Sequence, residues 1–206
     1  AVKKLKEQKL SLQFPAMCKE YKPYDELRKL QKEYEKLHAQ LLEALQKDID
    51  AAMRTLLDRG DVDANRIVVY GQSLGGALAA YNVAHSALRG HMRALVLESA
   101  FSSYAGITRE KLASTWLTWP FQWLALLVVD ENFSPLPAIR RISPIPLLVI
   151  HGDQDQIVPV HHGQRLYNAA LESKQLWVLP ETGHIQAMRQ KMWRERFVAY
   201  LRRMLT

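Results

Sequence analysis

Three short stretches hold residue types that could cooperate in nucleophilic chemistry. Gly71–Gln72–Ser73–Leu74–Gly75, followed by Gly76, sets a serine among glycines. His151–Gly152–Asp153–Gln154–Asp155–Gln156–Ile157–Val158–Pro159 offers two carboxylates, and Pro180–Glu181–Thr182–Gly183–His184 ends on a histidine. A serine hydroxyl is a weak nucleophile until a base takes its proton. That base needs a carboxylate to fix its tautomer and to stabilise the imidazolium. Ser73, an aspartate of the second stretch and His184 would supply the three groups in that chain order.

These residues work only if the chain positions them, so the elements around them matter. Arg66–Ile67–Val68–Val69–Tyr70 is β-branched and bounded by turn residues, which predicts a strand, and Gly75–Ala87 reads as a helix. A serine at such a strand-to-helix turn has a strained backbone and an exposed hydroxyl. Gly71 and Gly75 are expected because side chains there would clash across the turn. The helix start supplies unpaired N–H groups where an oxyanion would develop, and the Leu74 N–H is the expected first donor. A bare motif of this kind would also suit a serine that simply caps a helix. Further strands are predicted at Ala94–Leu97, Ile145–Ile150 and Gln175–Leu179, with helices at His161–Leu171 and Ile185–Leu205. Near-continuous apolar strands alternating with helices predict an α/β fold, a parallel sheet with helices on both faces. The acid loop follows the third strand and His184 the fourth. Phe101–Arg141, which carries Trp116, Trp119, Phe121 and Trp123, is too long for a simple crossover and is expected to form a small cap.

The stretch from about Gln46 to the C-terminus resembles the serine α/β-hydrolases of the Bem46-like and serine-aminopeptidase-like group. The matching pieces are Arg66-Ile-Val-Val-Tyr-Gly-Gln-Ser-Leu-Gly-Gly, Glu98-Ser-Ala-Phe, His151-Gly-Asp-Gln-Asp-Gln-Ile-Val-Pro and Gly183-His184. The resemblance implies an α/β-hydrolase core at residues 60–206. It also selects Asp155, two residues before Ile-Val-Pro, as the acid, leaving Asp153 to the turn. It implies a serine hydrolase that cleaves carboxylic esters, or thioesters or amides, through an acyl-enzyme. Ser73 would be the nucleophile, His184 the base, Asp155 the acid and Leu74 the oxyanion-hole donor. Trp116, Trp119 and Phe121 are the expected substrate contacts, to an acyl group of appreciable size. The other reading is a catalytically weak hydrolase-like scaffold that binds a partner through its helical N-terminus.

Upstream of Ser73 the sequence departs from that group. It contains no His-Gly pair to supply a second oxyanion donor, and only Leu10–Phe14 alternates as a short strand would. Residues 1–59 read instead as a helical segment. Tyr24–Asp58 contains neither Gly nor Pro, with Leu27, Leu30, Tyr34, Leu37 and Leu41 forming one stripe and Leu45, Ile49, Met53 and Leu56 a phase-shifted second. A helix laid on the core is expected there. The strand at Ile67–Tyr70 should therefore sit at or beside a sheet edge. The long helix, the Leu10–Phe14 strand or a second copy of the chain would cover it.

The composition is that of a globular domain, with 48% hydrophobic and 24% charged residues. The net charge of +7 is concentrated in Arg189, Lys191, Arg194, Arg196, Arg202 and Arg203 against Glu195, which reads as a solvated helix face rather than a nucleic-acid site. His161 and His162 with Asp153 and Asp155 could mimic a metal site, but no ligand set recurs elsewhere, so neither metal nor cofactor is expected. His151 is expected to order the acid loop. Cys18 stands alone, which rules out an internal disulfide. Trp116–Val129 is too short for a membrane span of about 20 residues. No signal peptide is visible, but the chain opens on Ala1 rather than Met, so the location stays open between the cytoplasm, which is slightly favoured, and a processed or membrane-associated precursor.

Overall fold

The computed structural model describes residues 22–206, so the Leu10–Phe14 strand and Cys18 lie outside the described residues. The chain divides into two compact units, residues 1–39 and 40–206. Helix α1, Lys22–Leu57, runs across that boundary. Its single proline, Pro23, falls in the first turn, where no intrahelical N–H bond is lost.

In the second unit the remainder of α1 packs through Leu42 and Met53, with Leu45 and Ile49 beside them. Asp50 Oδ1 accepts hydrogen bonds from Asn82 Nδ2 at 3.0 Å and Ser86 Oγ at 2.7 Å. The packed face thus uses Leu45, Ile49 and Met53 of the second apolar stripe together with Leu42, which belongs to neither stripe, while Leu56 is exposed. Of the first stripe, Leu30, Tyr34, Leu37 and Leu41 are exposed. A stutter shifts the phase of an apolar stripe by a fraction of a turn, so the two stripes lie on different faces of the helix.

Four parallel strands form the sheet, in the order β1 (Ile67–Gln72), β2 (Met92–Glu98), β3 (Leu147–Gly152) and β4 (Lys174–Leu179). Register pairs such as Val68↔Ala94, Leu95↔Leu147 and Val149↔Leu176 align them. Alternate residues point to opposite faces. Leu95, Leu97, Leu147 and Val149 meet helix α2, Leu74–His85, and Leu166 of helix α4, His161–Ala169. Ala94, Val96, Leu148 and Ile150 meet Trp193 and Tyr200 of helix α5, Lys191–Leu205. Because both faces are covered, the inner strands β2 and β3 are buried almost throughout, whereas the edge strands β1 and β4 carry exposed residues such as Tyr70 and Val178. Strand β1 is an edge strand of this sheet, as its sequence context predicts, and Val68 and Val69 are only partly buried.

Between β2 and β3, helix α3 spans Tyr104–Ala113 and a 3₁₀ turn spans Trp119–Leu124. Single helical turns at Ala125–Val128 and Pro135–Ala138 follow. Phe101, Tyr104, Ile139 and Ile142 are buried, so both ends of this segment belong to the core. The closing helix starts at Lys191, not at Ile185. Ile185 has φ 53°, outside the helical region, and its N–H is held by another strand's loop. Within α5, Met192 and Val198 face solvent, while Trp193 and Tyr200 are the buried residues.

Candidate active site

Ser73 sits between β1 and α2 with φ 50° and ψ −120°, a conformation that a non-glycine residue rarely adopts. Its N–H donates to Glu98 O at 2.9 Å, which ties the turn to the carboxyl end of β2. The tightness of the turn explains two glycines. A Cβ at Gly71 would lie 2.6 Å from Gly75 O and from Gly76 Cα, and one at Gly76 would lie 2.7 Å from Ala100 Cβ. The expectation for Gly75 is corrected: a Cβ there meets nothing within 4 Å. The crossing runs between Gly71 and Gly76, one residue later in the helix. Leu74 opens α2, where the first N–H groups have no intrahelical acceptor.

Asp155 is buried in the loop after β3, whereas Asp153 is exposed. Asp155 Oδ1 accepts from Ile157 N–H at 2.9 Å and Val158 N–H at 2.8 Å. Its other oxygen, Oδ2, lies 2.8 Å from His184 Nδ1. Burial is the strongest single influence on this carboxyl and opposes its ionisation. The hydrogen bonds from Val158, His184, Ser99 and Ile157 together outweigh burial and hold its pKa below the usual aspartate value. Asp153 Oδ1 accepts from Thr182 N–H at 3.4 Å, a contact between the two loops. His151 Nε2 donates to Val158 O at 2.7 Å and so orders the acid loop. Burial lowers its pKa and keeps it neutral.

His184 lies in the loop after β4. The structure therefore joins His184 to Asp155, while among the described residues no hydrogen bond runs from Ser73 Oγ to His184. Such contacts are often long without substrate and tighten when one is bound. Trp116, Trp119 and Phe121 are 86%, 59% and 54% exposed, so they present bare apolar surface instead of packing into the core.

Glu98 is 1% exposed and was visible in the sequence only as part of a matching stretch. Its Oε2 accepts from Gln72 Nε2 at 2.8 Å and from the Tyr70 hydroxyl, and its Oε1 accepts from Ala187 N–H at 2.9 Å. Burial and the adjacent carboxylate raise the Tyr70 pKa, which keeps that hydroxyl a donor.

Among the described residues, one grouping has donor atoms close enough to hold a cation: Glu110, His161 and His162, within 4.8 Å of one another. It includes neither Asp153 nor Asp155. His162 Nδ1 accepts from Ser102 N–H at 3.1 Å, so the proton of the neutral ring sits on Nε2 and points at Glu110 Oε2, 3.1 Å away. Metal ligation through Nε2 would move that proton to Nδ1, against a backbone N–H. The grouping is a hydrogen-bonded tie between α3 and α4.

A parallel sheet with a strained serine after one strand, a buried aspartate after the third and a histidine after the fourth defines an α/β-hydrolase. The chain belongs to the prolyl oligopeptidase family, whose model matches residues 29–206. YfhR of Escherichia coli (strain K12) is 33% identical over 157 residues, which are 75% of this chain and 51% of YfhR. The chain thus spans about half the length of the curated relatives it matches. The α/β-hydrolase GrgF from Penicillium sp. sh18 superposes with a TM-score of 0.61 at 13% identity, over 80% of this chain and 72% of GrgF. The esterase domain of a Rhodothermus marinus protein gives a TM-score of 0.57 at 22% identity, over 77% of this chain and 68% of that domain. At these identities the likeness is one of fold. No helix among the described residues is long and apolar enough to cross a membrane.

Proposed function

We propose that this hydrolase cleaves carboxylic esters through an acyl-enzyme, with Ser73 as nucleophile, His184 as base and Asp155 as acid. The observation that carries the reading is the 2.8 Å bond from His184 Nδ1 to Asp155 Oδ2. It leaves Nε2 of the ring to take a proton. Ser73 Oγ bonds to the substrate carbonyl carbon as its proton passes to His184, and the Leu74 N–H donates to the oxyanion. The alcohol leaves with the proton from His184. Water, deprotonated by the same imidazole, then releases the acid and restores Ser73. Trp116, Trp119 and Phe121 are the proposed contacts for the acyl chain, since their exposed rings are free to cover apolar substrate. Thioesters and amides can react through the same residues. The partner-binding scaffold is favoured by one observation, the absence of a Ser73–His184 hydrogen bond among the described residues.

Hydrolysis of short-chain nitrophenyl esters separates the two readings. The expected outcome is turnover by the wild type, none by Ser73→Ala, and the same melting temperature for both. Turnover that survives Ser73→Ala contradicts the assignment.

A further inference from the structure

Ser99 follows the last residue of β2 and, like Glu98, was visible in the sequence only as part of a matching stretch. It is 1% exposed and has φ 52°, a left-handed conformation that favours glycine over serine. Its N–H donates to Ile150 O at 2.9 Å, so the backbone bends out of the sheet while still tied to β3. Its hydroxyl oxygen accepts from the N–H of Ile185, the neighbour of His184, at 3.2 Å. The Ser99 side chain is also among the groups that lower the Asp155 pKa and so favour its ionised form. A buried hydroxyl that accepts an N–H keeps its own proton to donate, and that proton suits an ionised carboxylate.

The preceding residue, Glu98, takes the Ser73 N–H on its backbone oxygen and the Ala187 N–H on its carboxylate. Two consecutive residues thus touch the segments that carry Ser73, Asp155 and His184. We propose that Ser99 is the positioning residue of the acid–base pair: its hydroxyl oxygen holds the loop of His184, while its N–H holds β3, the strand that runs into the loop of Asp155. The proposal rests on the reading of those two residues given above. It adds a reason for a serine at a left-handed position: glycine would fit the backbone better but could not hold the loop of His184. Alanine would keep the Cβ and leave the Ile185 N–H without its acceptor.

The test compares Ser99→Ala with Ser99→Gly in the full 206-residue protein. The first readout is the rate of fluorophosphonate labelling across pH, and the second is the NMR signal of the His184 Nδ1 proton held by Asp155. The account predicts labelling slowed about 10- to 100-fold in both variants, the scale of losing a group that orients a reactive side chain. It also predicts faster solvent exchange of the Nδ1 proton in both. Gly relaxes the backbone, so it supplies a folded variant if Ala is too unstable. Wild-type labelling and an unchanged Nδ1 proton in Ser99→Gly would overturn the proposal, because the backbone alone would then suffice. If the wild type itself does not label, the ester-cleaving reading fails, and the Nδ1 proton still decides the role of Ser99.

Discussion

Asp153 and Asp155 stand two positions apart in one loop, and their surroundings divide the work between them. Asp155 is buried, with two backbone N–H donors and His184 on its carboxylate, while Asp153 is exposed and reaches only Thr182. Asp155→Asn is expected to lower ester turnover by about 10⁴-fold, since the imidazole loses the partner that holds its tautomer. Asp153→Asn should cost far less. Steady-state kinetics of the two variants check this, and equal losses would assign the wrong carboxylate. His151 and His162 give a second expectation. Burial depresses the pKa of both below the ordinary histidine value of 6.5. The unfolded chain then binds protons that the folded chain refuses. Their stability contribution is therefore complete above about that value and declines as pH falls below it toward the folded pKa values. Melting temperature measured from pH 7.5 down to pH 5.5 should hold nearly level to about pH 6.5 and fall below it, and a flat profile throughout would contradict the neutral buried histidines. At this scale the serine, the histidine and the pair of candidate aspartates were legible, because the chemistry restricts their types and chain order. Ser99 was not, since its contact with Ile185 joins residues 86 positions apart and no spacing announces it.

The strand-to-helix turn carries its own prediction. Gly71→Ala and Gly76→Ala each force a Cβ into backbone or a buried side chain, and each should destabilise by about 1–3 kcal/mol, the cost of overpacking. Gly75→Ala meets open space and replaces glycine inside a helix, which favours the folded state by up to about 1 kcal/mol. Urea midpoints of the three variants test the order, and a Gly75→Ala loss as large as that at Gly71 would refute it. The strands were readable within a few residues because both faces are buried and the apolar runs are nearly unbroken. The helices were readable where they end on a turn or a strand. The closing helix was not, because Ile185 takes a left-handed conformation in order to give its N–H to Ser99. That demand belongs to the site and leaves no mark on helical periodicity. Along α1 the sequence offered two apolar stripes, and the packing of Leu42, Leu45 and Ile49 against Leu78, Phe101 and Val158 follows neither of them alone.

For the whole molecule, the open feature is the outer edge of β1. It carries the serine turn at its end and pairs only with β2 in the described sheet. An unpaired strand edge is a template for another strand. We propose that copies of the 206-residue protein associate through β1, which would make stability depend on concentration. The melting temperature should rise over a hundredfold increase in concentration, with mass in solution above that of a monomer. An unchanged melting temperature and a monomeric mass would contradict it. The central claim, that the turn after this strand bears an activated nucleophile, has a direct test. Fluorophosphonate treatment followed by peptide mass mapping should place one label on Ser73 in the wild-type protein and none in Ser73→Ala. An unlabelled wild type, or a label that persists in Ser73→Ala, would contradict the account.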